Sequence, residues 1–99
     1  MALRLDINAP VATITIDRPE QRNAFSDQMW TDLAAACEEI ASTDTIRVVV
    51  LQGTGASFSA GGDFTDFAEL SSLPERQAYL RRVLAACGAY ERLPVPTVA

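Results

Sequence analysis

The run Ile46-Arg47-Val48-Val49-Val50-Leu51 constrains the fold of this chain more than any other stretch. Beyond its charged start it is almost continuously apolar. A run of that kind reads as a strand covered on both faces, typically a parallel strand that follows a helix. The preceding sequence supplies the helix. Ser26 reads as its N-cap, and Asp27 places a carboxylate where the helix dipole favours it. Trp30, Leu33, Cys37 and Ile40, joined by Met29, Ala34, Ala36 and Ala41, form one apolar stripe from Asp27 to about Ser42. Further upstream, Leu3 to Ile7 and Val11 to Ile16 alternate apolar and polar residues around the turn Asn8-Ala9-Pro10. They predict a β-hairpin or a closely related strand pair. Asp17 to Asn23 is a polar loop in which Pro19 keeps Arg18 out of helical geometry.

After the apolar run, residues 53–63 form a loop of small residues, Gly53-Thr54-Gly55-Ala56-Ser57-Phe58-Ser59-Ala60-Gly61-Gly62-Asp63. A short helical turn is expected from Phe64 to Leu70. Pro74 starts a second long helix, with Leu80, Val83, Leu84, Cys87 and Tyr90 on one side and Arg76, Arg81, Arg82 and Glu91 mostly on the other. Leu93-Pro94-Val95-Pro96 ends it, and Thr97-Val98-Ala99 begins a new strand. A strand that stops after three residues suggests a truncated sequence rather than a finished domain. The expected class is α/β.

Composition narrows the functional classes. Ninety-nine residues suffice for one small domain, and a hydrophobic fraction of 48% predicts a packed core. A net charge of −5 with only eight Lys and Arg residues argues against nucleic acid, which needs a concentrated basic footprint. No apolar run approaches the roughly 20 residues that span a bilayer. The amino terminus lacks a secretory pattern, so a soluble, cytoplasmic protein is the expectation. Cys37 and Cys87 both fall among apolar residues at helical spacing and read as buried, reduced core thiols. The chain has no histidine, so it cannot by itself build a Ser-His-Asp triad, a Cys-His pair or a His-based zinc site. No metal site is expected.

The loop of small residues is where chemistry can reside. Between a buried strand and a helix start, it can point several free N–H groups toward one spot, where the helix dipole favours negative charge. Gly61 and Gly62 allow unusual backbone angles and close approach of a ligand. A Walker-type phosphate loop is excluded because Gly62 and Asp63 follow Gly61 with no lysine. A dinucleotide fingerprint starting at Gly53 would need glycine where Phe58 stands. A nucleophile elbow fails because Ser59 follows Ser57 and Phe58 where glycine is required. What survives is a loop able to bind an anion or a developing oxyanion without a side-chain nucleophile. The plainer alternatives are that the glycine pair is turn chemistry, that Asp63 caps the following turn, that Asp66 is solvated or capping, and that Arg18 and Arg22 are surface charges.

Four segments in order change that balance. Arg18-Pro19-Glu20-Gln21-Arg22-Asn23-Ala24-Phe25 resembles the Arg-Pro-x-x-x-Asn-Ala loop of the enoyl-CoA hydratase/isomerase (crotonase) family. Val48-Val49-Val50-Leu51-Gln52-Gly53 is similar to its next buried strand. Ser57 to Phe64 resembles its Phe-x-Ala-Gly-x-Asp loop, and Pro94 to Ala99 resembles its Lys-Pro-Val-Ile-Ala strand. The resemblance spans the whole chain. It implies a spiral of β-β-α units of the ClpP/crotonase type, with residues 1–99 as the N-terminal part of one domain whose C-terminal half is not present.

The resemblance also implies roles. The Gly62 N–H would be one of two oxyanion donors. Arg22 and Ala24, in the first loop, would help to hold coenzyme A, Arg22 through a phosphate. Ala60 would lie near the adenine, and Gly61, Asp63, Phe64 and Thr65 would complete the pantetheine and acyl contacts. Thr65 stands where family members often carry lysine or another polar residue, which removes one expected coenzyme A contact. The second donor and the catalytic carboxylates would follow Ala99, so the isolated chain is expected to be inactive. The implied activity is hydration or isomerisation of an acyl-CoA thioester, with enoyl-CoA hydration first and a role in fatty acid metabolism. Coenzyme A would be part of the substrate and no separate cofactor would be needed. Other chemistries of the scaffold (decarboxylation, dehalogenation, carbon–carbon hydrolysis) and a noncatalytic fragment or interaction module are the alternatives. A homotrimer or hexamer would be the assembly.

Overall fold

The structure, a computed structural model, describes residues 2–59, 61–63 and 68–99. The alternating segments form β1 (Leu3–Asn8) and β2 (Val11–Ile16), which pair antiparallel with Leu3 opposite Ile16 and Leu5 opposite Ile14. Helix α1 spans Asp27–Ala41 and returns the chain to β3 (Val48–Gly53), which lies parallel to β2 with Ala12 opposite Val49. Helix α2 spans Leu73–Glu91 and leads to β4 (Thr97–Val98), parallel to β3. The sheet order is β1-β2-β3-β4. The fold class is therefore α/β, and β1, β2 and α1 make one β-β-α unit. Among the described residues no helix is long and apolar enough to cross a membrane.

Register explains the core. Leu3, Ala12, Ile14, Ile16 and Val49 stand on one sheet face and are buried, because side chains of paired residues project to the same side. Met29, Leu33, Ala36, Cys37 and Ile40 of α1 are buried and complete this cluster. Ser26 is extended, as an N-cap should be, and its N–H donates to the Met29 sulfur at 3.4 Å. The opposite sheet face is less covered than the apolar run implied. Val48 and Val50 are half-buried, and Thr15 and Gln52 use that face for a side-chain hydrogen bond of 3.1 Å.

Helix α2 corrects two expectations. Its buried residues are Tyr79 and Ala86, whereas Leu80 and Leu84 are 49% and 71% exposed. The helix is rotated about one residue, roughly 100°, from the face that aliphatic content suggested. Tyr79 is the reason: its hydroxyl accepts the Trp30 Nε1–H of α1 at 3.3 Å, and the ring packs inward. Arg82 joins the same seam, donating to both Asp27 carboxylate oxygens at 2.7 and 2.8 Å. The rotation leaves Cys87 exposed, so only Cys37 is a buried thiol.

Burial pushes the Cys37 thiol up from 9.0 to about 11. A raised thiol value means that the folded state holds this proton more tightly than the unfolded one. Stability from this group is therefore full below about pH 9 and falls as pH rises toward 11. A charged thiol reagent at pH 8 is expected to modify Cys87 alone in the folded chain and both cysteines after denaturation. Equal labelling rates for the two in the native state would contradict the burial of Cys37.

Candidate functional site

Two polar loops meet beyond the carboxyl ends of β2 and β3. The first is residues 17–26, where Pro19–Gln21 form a single 3-10 turn and Arg22 and Asn23 take left-handed φ values of 53° and 59°. Asparagine tolerates that conformation better than most residues. It lets Asn23 turn fully inward, with no exposed surface. Its Oδ1 accepts the Arg18 N–H at 2.7 Å, and its Nδ2 donates to Thr54 O at 2.8 Å and Ser57 O at 2.7 Å. One side chain therefore closes the first loop on itself and fastens it to the second.

The second loop, residues 53–63, approaches so closely that glycine is required at its start. A Cβ on Gly53 would lie 2.3 Å from Phe58 O and 2.9 Å from Asn23 Nδ2. Ser59 Oγ donates to Asn23 O at 2.8 Å and accepts the Gly61 N–H at 3.1 Å. Gly61 has φ +93°, which reverses the chain and brings Gly62 beside Phe25. Asp17, at the start of the first loop, is held below the usual carboxylate range by hydrogen bonds from Arg4 and Thr54.

The Phe25–Gly62 pairing is a parallel bridge. Phe25 N–H donates to Gly61 O at 2.7 Å, and Asp63 N–H donates to Phe25 O at 2.9 Å. In extended backbone, successive N–H and C=O groups alternate sides. The groups of residues 61 and 63 that face Phe25 therefore turn the Gly62 N–H the opposite way. Gly62 is exposed, and none of the described residues accepts its N–H. A Cβ at this position would stand 3.5 Å from Tyr79 Oη and 3.9 Å from Trp30 Cζ2. Phe25 and Trp30 stack with centroids 4.4 Å apart, so an aromatic wall supports the bridge. The arrangement offers an amide hydrogen turned away from the Phe25 strand segment, which suits an oxygen atom gaining charge.

The expected site residues distribute as follows. Gly61, Gly62 and Asp63 lie together, and Ala24 joins them because its carbonyl accepts the Arg18 guanidinium, which also meets Asp63. Arg22 is exposed on the first loop. Ala60, Phe64, Thr65 and Asp66, with most of the turn expected at 64–70, lie outside the described residues. Arg18 is not a free surface charge: its Nη1 pairs with Asp63 Oδ2 at 3.0 Å, with side-chain exposures of 21% and 13%. Residue-level reading missed the roles of Asn23 and Arg18. Their signal was present only as letters in the first-loop motif, because the partners they hold are up to 45 positions away.

Comparisons with known proteins bear on the family and the fold. The family model for enoyl-CoA hydratase/isomerase matches residues 6–99. EchA13 of Mycobacterium tuberculosis, whose name assigns it to the enoyl-CoA hydratases, is 42% identical over 84 residues, covering 82% of this chain and 26% of its own. Carboxymethylproline synthase of Pectobacterium carotovorum is 36% identical over 90 residues, covering 90% of this chain and 36% of its own. The crystal structure of an enoyl-CoA hydratase from Mycobacterium smegmatis superimposes with a TM-score of 0.91 at 31% identity, covering 98% of this chain and 38% of that one. The chain thus spans about a quarter to two fifths of the length of these relatives. On the matched residues and the shared β-β-α architecture together, this chain belongs to the enoyl-CoA hydratase/isomerase family.

Proposed function

We propose that this chain supplies one oxyanion donor and part of the coenzyme A site to an enzyme that hydrates an enoyl-CoA thioester. The observation that carries the reading is the Gly62 N–H, turned outward by the Phe25 bridge and accepted by none of the described residues. As water adds across the conjugated double bond, electron density moves onto the thioester oxygen. An amide already aimed at that oxygen stabilises the enolate without reorganising, and such a donor typically contributes about 3 kcal/mol to lowering the barrier. Arg22, Ala24, Ala60, Gly61, Asp63, Phe64 and Thr65 are the proposed contacts to coenzyme A and the acyl group. Coenzyme A enters as part of the substrate. The second donor and the carboxylates that move protons are assigned to chain beyond Ala99, and a trimer or pair of trimers is the proposed assembly.

A main-chain donor serves any reaction that passes through a thioester enolate. The resemblance to carboxymethylproline synthase keeps a different chemistry of the scaffold as the second reading. Product analysis separates the two: hydration consumes the conjugated thioester absorbance and adds the mass of one water.

The donor itself is tested by replacing Gly62 with glycolic acid in the full-length protein, which puts an ester oxygen where the N–H stood. The expected result is a kcat about 100-fold lower with KM little changed. An unchanged kcat would remove Gly62 from the mechanism.

A further inference from the structure

We propose that Arg18 is a positioning residue for the Gly62 amide. The inference rests on the donor role proposed above and extends it to a side chain that does not itself face the reacting oxygen. The bridge between residues 25 and 62 is isolated, held by two backbone hydrogen bonds, with no strand continuing from it among the described residues. A short pairing of this kind leaves rotation about residues 61–63 weakly restrained, and any such rotation re-aims the N–H of residue 62. One atom limits it. Arg18 Nη1 donates to Asp63 Oδ2 at 3.0 Å and to Ala24 O at 3.1 Å, joining the residues immediately flanking both sides of the pairing.

The far side is secured separately, by Ser59 Oγ on the Gly61 N–H at 3.1 Å. Gly62 thus lies between two fastened neighbours. Arg18 is itself fixed: its N–H donates to Asn23 Oδ1 at 2.7 Å, and its carbonyl accepts the Asn23 N–H at 2.8 Å. Partial burial of both charges makes the ion pair less screened than a surface one. A planar guanidinium can hold a carboxylate and a carbonyl at once, which an ammonium on a flexible stem does less well.

The test uses the full-length protein and a conjugated enoyl-CoA, with two readouts. One is the kcat and KM of turnover. The other is the red shift of the bound enoyl thioester absorbance, which reports polarisation of the carbonyl by oxyanion donors. The unsubstituted protein should show the shift. Arg18→Gln is expected to lose most of it and to lower kcat at least tenfold while KM moves less than threefold. Arg18→Lys should recover part of both. A folded Arg18→Gln protein with the full red shift and unchanged kcat overturns the inference while leaving the donor reading intact. Absence of a shift in the unsubstituted protein overturns the donor reading first. If Arg18→Gln fails to fold, Arg18→Met decides on the same readouts, since it keeps an unbranched stem and removes both hydrogen bonds. A full shift there overturns the inference, and a diminished one supports it.

Discussion

Replacing Asn23 with alanine is expected to lower the stability of the fold by about 4 kcal/mol. The side chain is wholly buried and satisfies three backbone groups: the Arg18 N–H, Thr54 O and Ser57 O. Leaving each without a partner costs roughly 1 kcal/mol or more. A left-handed φ of 59° adds about 1 kcal/mol for alanine, which lacks the local tolerance of asparagine. The measurement is a urea titration, read as a lower midpoint at unchanged slope. Asn23→Asp is the informative companion. It keeps an oxygen for the Arg18 N–H but has no hydrogen for the two carbonyls, so it should also be strongly destabilised. A loss below about 1 kcal/mol for the alanine variant would mean that the two loops are held by something else.

The second large effect is expected at Gly53. An added methyl would meet Phe58 O at 2.3 Å and Phe58 Cα at 2.9 Å, both of them main-chain atoms that cannot step aside alone. Gly53→Ala should therefore displace the start of the second loop and cost roughly 3 kcal/mol or more. Two other glycines of the same loop set the scale. At Gly61 no atom of the described residues lies within 4 Å and its φ of +93° opposes a side chain, so alanine should cost about 1–2 kcal/mol. At Gly62 the nearest atom among the described residues is 3.5 Å away, an ordinary contact, and alanine should change stability by about 0.5 kcal/mol or less. The predicted order of damage is Gly53, Gly61, Gly62. Because Asn23 Nδ2 is among the atoms crowding Gly53, the Asn23 and Gly53 variants should combine non-additively.

Much of the architecture was legible because apolar periodicity records which face of an element is covered. The alternation in Val11–Ile16 and the stripe of α1 both named residues that are buried. The same logic misplaced α2. Leu80, Leu84 and Cys87 outrank Tyr79 and Ala86 in hydrophobicity, yet the latter pair faces the core. A helix carrying more apolar residues than one contact can cover does not reveal in its own sequence which of them its neighbour will meet. Here the Trp30–Tyr79 hydrogen bond and the Asp27–Arg82 ion pair resolve the ambiguity.

The candidate site was legible in a different way. Its glycines marked where backbone could be approached, and the first-loop resemblance marked which letters mattered. What each polar residue grips was hidden, because polar contacts carry no periodicity. Arg18 and Asp63 are 45 positions apart, and Asn23 and Ser57 are 34 apart. Only the meeting of the two loops makes them neighbours.

The outward N–H of residue 62 has a consequence for genetics. Nineteen of the twenty coded amino acids carry that hydrogen, so exchanging one residue for another there leaves it in place unless proline is chosen. A library that varies side chains would report heavy losses at Asn23 and Gly53, which hold the loops, and only mild ones at Gly62. The group proposed to meet the substrate would pass nearly unnoticed.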